Sequence, residues 1–462
     1  MAIRDLVMLS ALLVMVPMIF MRPHTGIILW AWTAMLVPNT FLFGIGQSVR
    51  FNLIFALATL IAWFISKEPK KVPLNSTNVL LYVFLFWVCL STLFGVAEFD
   101  ARMHELTNLI KIVVFTVVIS ALVTSRLRVH ALLIGIALGM GYHGTAEGAK
   151  FIVSGGNHHV FGPTGSIIGD NNHFALAMIF LLPVIFYLYH YSSKRLIQLG
   201  FLCAGCLIFA SVIGTFSRGG LVTLAAVGAY WLLRSKYKIP MFAAMGVGLA
   251  FVVYFAPEHW FERMTTIQEA EQDGSFMGRV IAWKISLLLA LDHPILGGGI
   301  TAIQNADVWE KYVRDFGRLD FIPTGPPDTV RAAHSVYFQL VADVGFVGLG
   351  IFLLILFRAW WSCGRLIKKT AGISDLEWIN NLARALQVSF VAYCVAGAAL
   401  NMAYFEMLYV FVVLVAVQEN LTKQYLEKTA PHDVPPQMAP AARKGAMGSR
   451  AKLPEGMRRQ RF

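Results

Sequence analysis

The chain has 462 residues, 57% of them hydrophobic and only 14% charged, with a mean hydropathy of +0.64. That balance excludes a soluble enzyme built around one core and points to a polytopic membrane protein. The net charge of +12 sits largely in short loops and the C-terminal tail, so anionic lipid and the positive-inside bias account for it without a nucleic-acid partner.

In chain order, apolar segments are expected near 6–21, 26–44, 51–66, 78–96, 108–124, 128–153, 173–190, 196–214, 219–233, 239–255, 335–357, 383–400 and 404–418. Several are short for a full crossing, and the first two are separated only by Arg22 to Thr25. The expected fold is all-α, a polytopic integral membrane protein with about twelve transmembrane helices and one large polar loop containing helices. Residues 1–169 form an N-terminal transmembrane region, 170–421 a second transmembrane core that includes the loop 256–333, and 422–462 a basic, disordered cytoplasmic tail. No cleavable leader is read at Leu6 to Met21, which lacks a small-residue cleavage site.

Basic clusters give the orientation. Lys67, Lys70 and Lys71; Arg126 and Arg128; Lys194 and Arg195; Arg234, Lys236 and Lys238; and Arg358, Arg365, Lys368 and Lys369 all fall on one side when each segment crosses once. That side is assigned to the cytoplasm. The opposite side then carries 97–107, 154–172, the turn at Ser217–Arg218, the loop 256–333 and the turn near Asn401–Glu406.

Polar groups on that opposite side are the candidates for chemistry. His334 stands where the long polar loop meets the apolar run from Ser335 to Phe357, with Arg331 nearby. At a membrane–water boundary an ionisable group costs much less than at the bilayer centre. Arg218 lies in GTFSRGGLVTL, a turn whose paired glycines allow close approach of a ligand. Arg279 begins an amphipathic pattern (Val280, Trp283, Leu287, Leu288) that ends in the Pro/Gly-rich turn HPILGGG. Two guanidinium forks match the oxygens of a diphosphate. Arg218 also has a plain reading, an arginine snorkelling to lipid phosphate.

The other intramembrane polar groups have simpler explanations. Glu147 and Lys150 stand at i,i+3, the spacing of a helix salt bridge. Lys111 has no local partner in the sequence and is a supporting candidate for an anionic site. His158, His159, Asp170, Asn171, Asn172 and His173 cluster on a glycine-rich loop. Adjacent histidines there are nonspecific and no HExxH pattern appears, so no metal is expected and Asp170 or Asn172 reads as a helix N-cap. Cys203 and Cys206 form a CxxC at helical spacing, read as packing rather than redox chemistry. No Walker loop, dinucleotide fingerprint or serine nucleophile elbow is present, and no cofactor is expected.

Three motifs in order, SRGG after one span, the R-x-x-x-W helix leading to HPILGGG, and HSVYFQLVADVGFVGLG, resemble the shared core of bacterial O-antigen ligases and polymerases, over about residues 170–357. The stretch VFGPTGSIIGDNNHFALAM is similar to the O-glycosylation-ligase branch associated with exosortase systems. The resemblance implies a Gram-negative inner-membrane glycosyltransferase with its site facing the periplasm. Its donor would be a glycan on undecaprenyl pyrophosphate and its acceptor, for a ligase, lipid A–core. The motif residues carry over to Arg218, Arg279 and His334.

The chemistry fits those residues. A lipid pyrophosphate is already activated, so a base for the acceptor hydroxyl and cations for the departing pyrophosphate suffice. His334 suits the first role, and Arg218 with Arg279 the second; Arg331, Lys111, Tyr337, Glu406 and Asn172 are supporting candidates. Glu258 and Glu262 are further outer-side carboxylates. A polymerase extending the donor glycan, a protein O-glycosylation ligase, and a lipid-linked-sugar flippase remain as rival readings. A flippase would show polar groups across the membrane and discontinuous midplane helices.

Overall fold

A computed structural model describes residues 3–234, 238–255, 274–319, 324–325, 327 and 329–429. Glu258, Glu262, Lys236 and the tail from residue 430 lie outside the described residues. Among the described residues every regular element is helical. The longer ones are α1 (Ile3–Met21), α2 (Pro23–Leu36), α3 (Phe51–Ile65), α4 (Ser76–Leu93), α5 (Phe99–Leu122), α6 (Arg126–Val153), α7 (Asn171–Tyr191) and α8 (Arg195–Gly214). They continue as α9 (Arg218–Arg234), α10 (Lys238–Phe255), α11 (Gly274–Asp292), α12 (Ala306–Arg314), α13 (Val336–Lys369), α14 (Glu377–Gly397) and α15 (Glu406–Thr429).

Seven helices among the described residues are long and apolar enough to cross a membrane: α1, α4, α5 from Arg102, α6, α7, α8 and α13. This is fewer than the expected twelve. Several of the remaining apolar segments form shorter helices, such as α3, or carry more polar residues, such as α14 with Asn380, Asn381 and Arg384. The apolar segment expected to run from 26 to 44 is α-helical only to Leu36; Val37 turns left-handed at φ 50° and a short 3-10 helix follows over Pro38–Phe41. The expected tail from 422 begins instead as helix, since α15 continues to Thr429.

Every residue of α15 from 407 to 417 is buried. A helix apolar all round belongs at the centre of a bundle, and α15 is flanked there by α4, α5, α13 and α14. Lipid is as apolar as leucine, so helices in a bilayer are held by close packing more than by the hydrophobic effect. Gly148 illustrates this, because a Cβ there would run into the Leu207 carbonyl of α8. Cys203 and Cys206, expected to pack, are instead free and exposed on the outer face of α8.

Contacts between helix ends gather the basic clusters at one end of the bundle. Arg128 pairs with Glu68 at 2.5 Å and Arg365 with Glu419 at 2.9 Å. Arg126 lies over the rings of Tyr191 and Trp378, and Arg234 over Trp360. The loop 154–170, the Ser217–Arg218 turn, α11 and the start of α13 lie at the other end.

Candidate functional site

The site is positioned by a break in α13. At Gly345 the backbone turns to φ 71°, ψ −177°, a conformation open essentially to glycine. The run from Ser335 to Phe357, expected as one continuous span, is therefore a short helix over 336–344 followed by a long one. Residues 346–369 alone, at about 1.5 Å per residue, extend about 36 Å, enough to cross the hydrocarbon core.

A helix break exposes backbone groups that must find partners, and the HPILGGG turn supplies them. Gly298 N–H donates to the Ala342 carbonyl at 2.7 Å and Gly299 N–H to that of Asp343 at 2.9 Å. Phe346 N–H donates to the Pro294 carbonyl at 2.9 Å. From α4, Trp87 Nε1 donates to the Val344 carbonyl at 3.1 Å, and Ser91 Oγ to that of Asp343 at 2.5 Å. The two chains approach so closely that a Cβ on Gly297 would lie 2.5 Å from the Gly345 nitrogen. The break is thus sealed by the protein's own backbone, unlike a discontinuous transporter helix whose freed groups coordinate a substrate.

The clasp fixes the start of α13, where His334 sits at φ 45°. A left-handed conformation costs a non-glycine residue roughly 1–2 kcal/mol, and it persists where the surroundings over-determine it. Here Trp283 Nε1 of α11 donates to the Ala333 carbonyl at 2.8 Å, and the indole stacks on Phe338 with ring centres 5.0 Å apart. The Arg331 guanidinium lies against Gly278, where a Cβ would be 2.6 Å from its nearest nitrogen. These contacts place Arg279, Arg331 and His334 together. The expected amphipathic helix around Arg279 is present as α11, but burial runs nearly all round it and includes Lys284 and Ser286. It packs on α13 and α12.

The SRGG turn is built from the other side. Phe216 before it is left-handed at φ 51°. The carbonyl of Thr215 accepts from Asn171 Nδ2 at 2.9 Å and His159 Nε2 at 3.1 Å, and that of Gly214 from Val160 N–H at 2.8 Å. Ser217 Oγ donates to Asn172 Oδ1 at 2.7 Å while accepting from Gly220 N–H at 3.0 Å. The 154–172 loop thereby braces the turn that carries Arg218. Its histidines have separate partners: His158 pairs with Glu147 at 2.6 Å, which also forms the expected salt bridge to Lys150, and His159 holds Thr215. Asp170 is the N-cap of α7, accepting from Asn172 N–H at 2.8 Å, and it also meets His173 Nδ1 at 3.2 Å.

The two halves enclose a cavity of about 570 Å³ whose charged and polar side chains, among the described residues, are Asp170, Asn172, Arg279, Arg331 and His334. Burial lowers the His334 pKa from 6.5, and Arg279 and His173 lower it further against an opposing effect of Asp170. The imidazole is therefore biased toward its neutral form. A hydrogen bond from His173, helped by backbone amides, holds the Asp170 carboxyl well below the usual range.

Of the expected residues, His334, Arg279, Arg331 and Asn172 line the cavity. Arg218 stands beside it, half-buried, next to the serine bonded to Asn172. Three lie apart from it. Tyr337 donates its hydroxyl to the Cys394 carbonyl at 2.8 Å, tying α13 to α14. Lys111 is exposed and bonded to Asn108 at 2.9 Å, and Glu406 has it as its charged neighbour. Asp170, read from sequence as a cap, is both cap and cavity wall. The only signal for its second role was the crowding of polar residues in DNNH ahead of an apolar run.

Residues 203–353 match the family described as O-antigen ligase, and residues 3–193 match a family of unknown function. No curated protein matches the chain. The cavity joins the two matched stretches, Asp170 and Asn172 coming from one and Arg279, Arg331 and His334 from the other. The second stretch also contains Arg218 and both segments of the clasp at Gly345, and its match to the family described as O-antigen ligase supports an O-antigen ligase-like reading of that part of the chain.

Proposed function

We propose that the protein transfers a glycan from undecaprenyl pyrophosphate to a sugar hydroxyl of lipid A–core, with inversion at the anomeric carbon. The observation that carries this reading is one cavity holding an imidazole biased toward neutrality beside two guanidiniums, next to the turn that presents Arg218. The acceptor hydroxyl attacks the anomeric carbon as His334 takes its proton. The bond from that carbon to the pyrophosphate oxygen breaks, and undecaprenyl pyrophosphate leaves with its charge on Arg279, Arg218 and Arg331. Guanidinium forks supply the neutralisation, so the proposed steps use no divalent cation.

The orientation belongs to the same proposal. With the basic end in the cytoplasm, the cavity faces the periplasm of a Gram-negative inner membrane. A flippase is disfavoured because the side chains assigned to the chemistry gather at one end and the break in α13 is closed by backbone.

The test pairs turnover with donor binding in His334→Ala, after checking membrane insertion. General-base catalysis contributes about 10²–10⁴-fold, so turnover falls by that range while donor binding survives on the arginines. A loss below about tenfold would place the base elsewhere. Joint loss of turnover and binding would make His334 a binding or structural residue.

A further inference from the structure

A second cavity, of about 640 Å³, opens at the end of the bundle opposite His334, between α7, α9, α13 and α14. Its cations are Arg234, Arg365, Lys368 and Arg384, contributed by three different helices. Arg365 and Lys368 are at i,i+3 and so share a face of α13. Arg365 is paired with Glu419; among the described residues the other three have no ion-pair partner. Among the described residues, four cations against that one carboxylate leave the cavity net positive.

The cavity has an aromatic wall as well as a basic rim. Arg234 lies over Tyr230 at 5.6 Å and Trp360 at 6.0 Å. Arg384 Nε donates to Asn380 Oδ1 at 3.0 Å, which orients its guanidinium. The polar groups deeper inside already satisfy one another: Gln387 Nε2 donates to the Trp360 carbonyl at 3.0 Å and Tyr230 OH to Gln387 Oε1 at 3.4 Å. Outward, the wall runs into Phe186, Trp231 and Trp361, which are 52%, 39% and 51% exposed. Basic residues spread over a convex face would be solvated charge and nothing more. Here they converge on a concave slot that continues into exposed aromatic surface, at the end that carries the basic clusters.

We propose that this cavity is a binding site for the headgroup of an anionic phospholipid, separate from the glycosyl-transfer site. The phosphate diester sits among Arg234, Lys368 and Arg384, where guanidinium forks bind its oxygens. An acyl chain runs along Trp231 and Trp361. Basic pockets between helices on the cytoplasmic side suit such headgroups, and the apolar wall gives a lipid a contact that free phosphate lacks.

The test is native mass spectrometry of the full-length protein, delipidated in neutral detergent and titrated with phosphatidylglycerol or with phosphatidylcholine of the same chains. The expected result is a saturable phosphatidylglycerol adduct that phosphatidylcholine does not form. In Arg234→Gln/Arg384→Gln the affinity drops about tenfold or more. Lys423→Gln, which removes an exposed cation on α15 outside the cavity, leaves it unchanged. If the double variant does not fold, Arg384→Gln alone carries the test, since that side chain is exposed. Equal binding of both lipids, or unchanged phosphatidylglycerol binding in Arg384→Gln, overturns the proposal. Displacement of the lipid by millimolar inorganic phosphate also overturns it, reducing the cavity to a free-anion site.

Discussion

His334 can accept a proton only as a neutral imidazole, and its surroundings favour that form. Burial and then Arg279 lower its pKa from 6.5, so the neutral form persists to a lower pH than for an ordinary histidine. The free enzyme's ionisation appears in kcat/KM. That parameter should rise with pH through an acidic limb below 6.5 and stay level above it. Arg279→Gln removes one lowering influence and should move the limb upward while weakening donor use. A wild-type limb at or above the ordinary histidine value, or a limb unmoved in the variant, would separate His334 from the titrating base. The residues of this cavity were partly legible in sequence. His334, Arg279 and Arg331 stand out as polar groups next to apolar runs. Asp170 does not, because its capping pattern already explains it; Lys111 enters as a cation with no local partner in the sequence, and Glu406 by sharing a side of the membrane.

The clasp between HPILGGG and the broken helix is the element that holds the site. Hydropathy runs unbroken across Gly345, so a reading by composition joins the two halves into one span. The break depends on a backbone conformation and on partners about fifty residues earlier in the chain, and neither leaves a trace in local periodicity. Gly345→Ala should therefore cost more than a surface change. The backbone strain alone is worth roughly 1–3 kcal/mol, and the added Cβ would lie 2.5 Å from the Ile295 carbonyl oxygen. Thermal unfolding in detergent should show a lowered midpoint, with turnover reduced even where the variant remains folded. Wild-type stability and turnover in Gly345→Ala would remove the clasp from the account.

At the scale of the whole molecule, charge sorts the two ends of the bundle, and that sorting was readable from the loops. The number of long apolar helices was not, because α14 mixes apolar and polar residues and α3 is short. The proposed orientation predicts opposite labelling of cysteines introduced at Ala306 and Lys423 by an impermeant reagent in intact cells. Ala306 should react and Lys423 should be protected, and equal access at both would contradict the orientation. The identity of the reaction rests on a purified-protein assay with undecaprenyl-pyrophosphate-linked oligosaccharide, run with and without lipid A–core. The account predicts a glycan–core product that forms only when the core is present. A ladder of extended glycan without the core, or no covalent product under either condition, would contradict it.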